Sequence, residues 1–136
     1  MNASPMRIYM DTSALVKLVV AEAESEALQN FLAEQSNDTW FSAALARTEL
    51  IRAVARNGPK AVGRARDLLG GLDTVALSRQ LLDDAGTLRP LSLRSLDAIH
   101  LVAAQRAGDT LRTVITYDAR MLAAAAELGI ATASPS

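Results

Sequence analysis

The chain has 136 residues, of which 50% are hydrophobic and 21% charged, so residues 1–136 are predicted to form one globular domain with a core from about residue 7 to 132. It has no cysteine and one histidine, which excludes a disulfide scaffold, a thiolate zinc site and a cysteine nucleophile. The formal net charge of −1 gives no overall signature of nucleic-acid binding, so such a partner would need a local basic surface or metal ions.

The first predicted element is a buried strand, Arg7 to Met10, which ends at Asp11. Ligands of open α/β sheets bind at the carboxyl ends of the strands, so an acid at this position is placed for chemistry. The alternative is that Asp11, Thr12 or Ser13 caps the amphipathic helix that follows. The two roles of Asp11 are compatible, and Thr12 and Ser13 are expected to cap the helix in either case.

The middle of the chain alternates between helical periodicity and β-rich runs. The predicted elements are a helix from about Ser25 to Gln35, a strand from Thr39 to Ser42, helices from about Ala43 to Arg56 and Lys60 to Leu69, and a strand from Leu72 to Leu77. Glu49 lies beside the apolar stripe of the third helix, so its carboxylate is expected at the edge of the buried face. An ion pair of Glu49 with Arg52 or Arg56 is the alternative.

The last third of the chain contains the most apolar helix, with Ser95 as its predicted N-cap and a stop at Gly108. The other predicted elements are a helix from about Arg79 to Leu88, a strand from Thr113 to Thr116, a helix from Met121 to Leu128 and a strand from Ile130 to Thr132. Asp97 lies in the first turn of the apolar helix, where it could simply favour the helix dipole. Asp118 follows a strand as Asp11 does, and could cap the last helix.

This alternation of strands and helices predicts an α/β/α sandwich with a mainly parallel central sheet. Such a sheet brings its strand ends and the adjacent helix starts to one edge, where Asp11, Glu49, Asp97 and Asp118 would meet. Carboxylates that share a site need compensating charge, and oxygen-only clusters of this kind hold Mg²⁺ or Mn²⁺. Metal-assisted hydrolysis of a phosphodiester is the chemistry that these residues support best.

Four segments resemble, in this order, the motifs of PIN-domain ribonucleases: Met10 to Leu15, Arg47 to Leu50, Leu96 to Ala104 and Val114 to Asp118. The chain is most similar to the VapC-type toxins of bacterial toxin–antitoxin pairs, and the resemblance extends from Ile8 to Ile130. It implies a PIN-like fold and two kinds of site residue, namely the metal-binding and catalytic acids Asp11, Glu49, Asp97 and Asp118, and the supporting hydroxyls of Thr12 and Thr116.

The same resemblance implies an endoribonuclease that depends on Mg²⁺ or Mn²⁺ and arrests translation by cutting structured RNA such as tRNA or ribosomal RNA. It also implies a homodimer that a cognate antitoxin neutralises. A candidate phosphate-facing surface comprises the basic residues Arg52, Arg56, Lys60 and Arg64, with Arg66 close behind, although a solvated helical face is the favoured explanation. His100 lies one turn after Asp97 and could bond near the site, but a structural role is favoured.

Two other functions fit parts of the sequence. A phosphatase or phosphotransferase with Asp11 as nucleophile would require a second aspartate two residues later, where Ser13 stands. A non-catalytic RNA- or protein-binding module would use the basic surface and ignore the acids. No apolar run approaches the ~20 residues of a membrane span, and Met1 to Pro5 is too short and polar for a secretory signal, so the expected location is the cytoplasm.

Overall fold

The computed structural model describes residues 5–136. The segment Met1 to Pro5, which is too short and polar for a secretory signal, therefore lies mostly outside the described residues. The strands are β1 (Arg7–Met10), β2 (Thr39–Ala43), β3 (Asp73–Val75), β4 (Leu111–Ile115) and β5 (Thr132–Ala133). The helices are α1 (Thr12–Val19), α2 (Ser25–Glu34), α3 (Ala46–Val54), α4 (Pro59–Gly70), α5 (Arg79–Gly86), α6 (Ser95–Gln105) and α7 (Ala119–Glu127). Short 3-10 turns follow α3 at Ala55–Asn57 and precede β4 at Gly108–Thr110.

The described strands form one sheet in the order β3-β2-β1-β4-β5, and all of its neighbouring pairs are parallel. The chain moves outward from β1 in one direction through β2 and β3, then crosses to the other side of β1 for β4 and β5. The order therefore reverses at β1, and a crevice is expected beyond the carboxyl ends of β1 and β4. Asp11 follows β1, and Thr116 follows β4, so both residues enter this crevice.

Alternate side chains of the central strand enter two apolar layers, as the two-residue repeat of a strand requires. Ile8 and Met10 pack with buried residues of α1, α2, α3 and α4 on one face of the sheet. Tyr9 packs with buried residues of α5 and α6 on the other face. A smaller cluster joins Leu101 of α6 to Met121 of α7. The predicted α/β/α sandwich is confirmed, with a core on each side of a parallel sheet.

The predicted elements are all present, but several boundaries differ. Ser95 is the first residue of α6 and not its N-cap, because Arg94 occupies the cap position and its side chain makes no capping bond. The third helix begins at Ala46, since Ala43 still pairs with β3 as the last residue of β2. Six residues of α6 are buried, as its apolar circumference predicted. Among residues 5–136, no helix has the length and apolar character needed to cross a bilayer.

Candidate active site at the carboxyl edge of the sheet

Asp11 is held in a fixed orientation between β1 and α1. Its side chain is 4% exposed, and its Oδ1 accepts hydrogen bonds from Ser13 Oγ at 2.6 Å and from the Ala14 amide at 3.1 Å. The second bond makes Asp11 the N-cap of α1. The predicted capping by Thr12 and Ser13 is wrong, because the hydroxyls of these residues donate to carboxylates and leave the capping to Asp11.

The segment after β4 completes the setting of Asp11 from the neighbouring strand. Thr116 Oγ1 donates to Asp11 Oδ2 at 2.5 Å and accepts from the Asp118 amide at 3.1 Å. The Tyr117 amide donates to Ser13 Oγ at 2.9 Å. Both oxygens of Asp11 are thus oriented by groups from β1–α1 and from β4–α7, on either side of the order reversal. Burial raises the pKa of Asp11 despite these bonds.

Asp118 has the capping role that the sequence offered as an alternative. Its Oδ1 accepts from the amides of Arg120 at 2.8 Å and Met121 at 3.2 Å, so it caps α7. The cap does not remove Asp118 from the site, because its carboxylate charge acts on Asp97. Asp118 therefore resembles Asp11, in that one carboxylate both begins a helix and contributes to a cluster of acids.

Glu49 of α3 is half-buried and is held by two donors from other elements. Its Oε1 accepts from Thr12 Oγ1 at 2.6 Å and is bonded to His100 Nε2 at 2.7 Å. Burial opposes the ionised form, but the bonds from His100 and Thr12 outweigh it and hold the pKa of Glu49 below its ordinary value. The alternative of an ion pair with Arg52 or Arg56 is not seen among the ion pairs of the described residues.

Asp97, in the first turn of α6, lies close enough to the other three acids to be affected by their charges. Burial raises its pKa, and the nearby charge of Asp118 is the next largest cause. The charges of Asp11 and Glu49 add to the rise, while His100 opposes it. The charges of three acids, from the end of β1, from α3 and from the β4–α7 junction, therefore all act on Asp97.

This cluster lacks compensating charge from basic side chains. In the described part of the chain, no Lys or Arg forms an ion pair with any of the four acids, and only His100 approaches one of them. The donors present are carboxylate and hydroxyl oxygens, which suit a hard cation such as Mg²⁺ or Mn²⁺. As the side chains stand, no three acidic or histidine groups within residues 5–136 could together hold one ion. The donor chemistry nevertheless fits such a cation, since one or two carboxylates commonly hold Mg²⁺ while water completes its coordination.

One of the predicted basic residues lies beside the acids. Arg52 lines a shallow depression of about 560 Å³ together with Thr12, Glu49 and the exposed Leu96. The other three residues of the predicted surface do not line this depression, and they belong to the turn after α3 and to α4: Arg56, Lys60 and Arg64. Arg64 Nε instead donates to the carbonyl of Val19 at 3.0 Å. RNA binding by all four remains a prediction.

The sequence did not predict the partners of His100 and Ser13. It left His100 without a partner, whereas the ring is bonded to Glu49 and to Tyr9. It assigned Ser13 to capping, whereas the hydroxyl links Asp11 to the Tyr117 amide. The i, i+3 spacing of Asp97 and His100 was the available signal, because residues so spaced share one face of a helix.

Comparisons with known proteins agree with the fold described above. The PIN domain model matches residues 8–128. Ribonuclease VapC47 and Ribonuclease VapC46 of Mycobacterium tuberculosis are 47% and 46% identical over 131 and 129 residues, which cover 94% and 95% of this chain and 96% and 98% of theirs. Among solved structures, the M. tuberculosis Sarcin-Ricin loop cleaving toxin VapC20 superposes with a TM-score of 0.72 at 17% identity, over 86% of this chain and 94% of that one. VapBC2 from Rickettsia felis, bound to a DNA fragment from their promoter, gives 0.71 at 16% identity, over 96% and 100%. At such identities, these two structures share the fold.

Proposed function

This chain belongs to the PIN domain family as a VapC-type member, and from that premise we propose that it is a metal-dependent endoribonuclease and the toxin of a type II toxin–antitoxin pair. The observation that carries the proposal is that the charges of Asp11, Glu49 and Asp118 act on Asp97, while no Lys or Arg of the described chain pairs with any of the four acids. Such a cluster is costly to fold unless a cation is bound.

Asp11 and Asp97 are the principal ligands in this proposal, and Glu49 and Asp118 complete the site. When bound, Mg²⁺ or Mn²⁺ would neutralise the carboxylates and polarise both water and the phosphodiester. Asp11 is oriented by Ser13 and Thr116 before any ligand arrives. This order lowers the cost of forming the reactive arrangement.

Glu49 is suited to accept a proton from the attacking water. Both of its hydrogen bonds go to Oε1, from Thr12 and from His100, and no hydrogen bond of the described residues engages Oε2. The lowered pKa keeps the carboxylate ionised at neutral pH. Oε2 is therefore the atom that we assign to holding or receiving the proton of the water.

The substrate is an RNA, with the cut made in a structured target such as tRNA or ribosomal RNA. Arg52 lies beside Glu49 and would contact a phosphate next to the one that is cut. Arg56, Lys60 and Arg64 would extend this contact along α4. The proposal also includes a homodimer and a cognate antitoxin that covers the acidic site.

The two competing functions are less well supported. A pure binding module has no use for three acids whose charges all act on a fourth, Asp97, and raise its pKa. A phosphatase would need a second aspartate two residues after Asp11, but Ser13 stands there and its hydroxyl donates to Asp11 Oδ1.

Cleavage of structured RNA by the purified chain tests the proposal. We expect cleavage with Mg²⁺ or Mn²⁺, none in excess chelator, and none by Asp11→Asn, which keeps the shape of the side chain and removes its charge. Asp73→Asn, an exposed acid of β3, is the matched control and should cut at the wild-type rate. Wild-type cleavage in chelator, or cleavage by Asp11→Asn at the control rate, would overturn the proposal. Induced expression of the same variants should arrest growth only where cleavage is retained.

A further inference from the structure

His100 is buried in α6 and has a partner on each ring nitrogen. The residue is 3% exposed. Its Nδ1 lies 2.5 Å from the hydroxyl of Tyr9, and its Nε2 lies 2.7 Å from Glu49 Oε1. Tyr9, on the central strand β1, is fully buried and also accepts from the Ala43 amide at 3.1 Å. A continuous chain of hydrogen bonds therefore leads from the backbone at the end of β2 to the carboxylate of Glu49.

The protons in this chain can be assigned by counting donors. The Tyr9 hydroxyl carries one proton, and the Ala43 amide already donates to its oxygen. Burial raises the pKa of Tyr9 far above neutrality, so the phenol stays protonated and donates to His100 Nδ1. A neutral imidazole that accepts at Nδ1 carries its proton on Nε2. That proton points to Glu49 Oε1.

We propose that His100 and Tyr9 are positioning residues for Glu49. Tyr9 fixes the tautomer of His100, and His100 fixes the rotamer of Glu49 by donating to Oε1. This inference rests on the proposed function, because it gives Glu49 a role in cutting RNA. Removing a group that hydrogen-bonds to a reactive or metal-binding carboxylate commonly lowers metal affinity or activity by about 10- to 100-fold.

The contacts distinguish this role from simple burial of a histidine. Glu49 is held at one oxygen by two donors from separate elements, Thr12 of α1 and His100 of α6. The other oxygen accepts no hydrogen bond from the described residues. His100 is therefore bonded to the acid that we propose as the proton acceptor for the attacking water. A backbone carbonyl would satisfy a buried imidazole equally well, so burial alone does not explain this choice of partner.

Two amide substitutions test the direction of the bond. In His100→Gln the side-chain nitrogen stands near the former Nε2 and can still donate to Glu49. In His100→Asn the amide nitrogen stands near Nδ1 and cannot reach Glu49. We expect His100→Asn to lose about tenfold or more in kcat and in Mn²⁺ affinity with KM for RNA unchanged, and His100→Gln to keep most of both.

Tyr9→Phe tests the far end of the chain, and the matched control is Thr113→Val. Thr113 is also a buried hydroxyl of the central sheet, but its Oγ1 has no hydrogen-bond partner within residues 5–136. We expect Tyr9→Phe to lower kcat and Mn²⁺ affinity and Thr113→Val to lower neither. Melting temperatures of all variants identify losses caused by unfolding, and the Gln and Asn pair decides the question if Tyr9→Phe does not fold.

A spectroscopic measurement is independent of activity. Because the chain has one histidine, ¹⁵N-labelled histidine gives a single imidazole to assign. At pH 8 we expect a protonated Nε2 and an unprotonated Nδ1, and a mixture of tautomers in Tyr9→Phe. A protonated Nδ1 in the wild type, or equal kcat for the Gln and Asn variants, would overturn the inference and leave the proposed function intact. A wild type that neither cuts RNA nor binds Mn²⁺ would overturn both.

Discussion

Aspartates at the two ends of the parallel sheet have pKa values shifted in opposite directions. At the amino end, Asp38 precedes β2, accepts from the Met6 amide at 3.1 Å and is bonded at both oxygens by the Arg112 guanidinium of β4. Arg112 holds the pKa of Asp38 below its ordinary value. At the carboxyl end, Asp97 has no ion-pair partner among the described residues, and its burial and the charge of Asp118 raise its pKa.

The comparison separates acids whose ionised form stabilises the fold from acids whose ionised form destabilises it. The ionised form of Asp38 is favoured by folding, because the folded chain supplies its partner. The ionised form of Asp97 is disfavoured, because folding gathers like charges around it. Strained or repulsive groups of this kind are typical of functional sites, where the cost is offset elsewhere in the fold.

The largest expected effect is on RNA cleavage. Asp97→Asn removes one acid of the carboxyl edge and should lower the rate in saturating Mg²⁺ by roughly 10³-fold or more. Asp38→Asn removes one acid of the amino edge and should leave the rate per folded molecule unchanged. Single-turnover cleavage of one RNA by both variants measures the contrast. Equal rates for the two would erase the distinction between the two ends.

A smaller effect is expected on RNA affinity from the basic residue at the carboxyl edge. Arg52→Ala should weaken binding and reduce the slope of log affinity against log salt by about 1, as loss of one phosphate contact does. Binding is measured in the Asp97→Asn background so that the RNA stays intact. Arg79→Ala, an exposed arginine of α5, is the control. Arg56→Ala and Lys60→Ala then show how far the surface extends, and an unchanged slope for Arg52→Ala would contradict its assignment.

Removing the charge of Asp97 should raise the stability of the fold even though it lowers the rate of RNA cleavage. In chelator, Asp97→Asn should raise the free energy of unfolding by up to about 1 kcal/mol, a modest figure because water screens the partly exposed carboxylate. Asp38→Asn should lower it and reduce Tm by a few degrees, since Arg112 loses its charged partner. Thermal melts in chelator measure both. A destabilised Asp97→Asn would show that repulsion at the carboxyl edge is not a cost.

The subtlest difference lies in the pH dependence of stability. The pKa of Asp97 is raised in the folded state, so the folded chain binds more protons and stability falls as pH rises from the ordinary value toward the raised one. The pKa of Asp38 is lowered, so its contribution is present above the ordinary value and is lost as pH falls toward the lowered one. In denaturant titrations at a series of pH values, Asp97→Asn should flatten the first slope and Asp38→Asn the second. Identical profiles would refute both assignments.

Much of the fold could be predicted because local patterns decide it. The apolar run of β1, the alternation of strands with amphipathic helices and the apolar circumference of α6 all led to the observed elements. Boundaries were less accurate, as at Ser95 and Ala43, because the end of an element depends on which backbone groups a neighbour satisfies. The resemblance to VapC-type PIN proteins is confirmed, and it rested on the same acidic segments.

The roles of the acids were only partly predictable. The ends of β1 and β4 placed Asp11 and Asp118 at one edge, since parallel strands share that edge. The alternative in which Glu49 pairs with a nearby arginine is wrong, because its donors are Thr12 and His100, which lie 37 and 51 positions away. Separations of that size depend on strand order and helix rotation, which no local spacing records.

The sequence by itself determined the kind of site: oxygen donors without cysteine, acids directly after parallel strands, and a family pattern around Asp97. Only the tertiary structure decided what holds each acid. Ser13 and Thr116 hold Asp11 because the order of the strands reverses between β1 and β4. The bond from Tyr9 through His100 to Glu49 exists because α6 packs on the face of the sheet that Tyr9 enters. A hydrogen bond requires two groups within about 3 Å, and packing alone sets that distance.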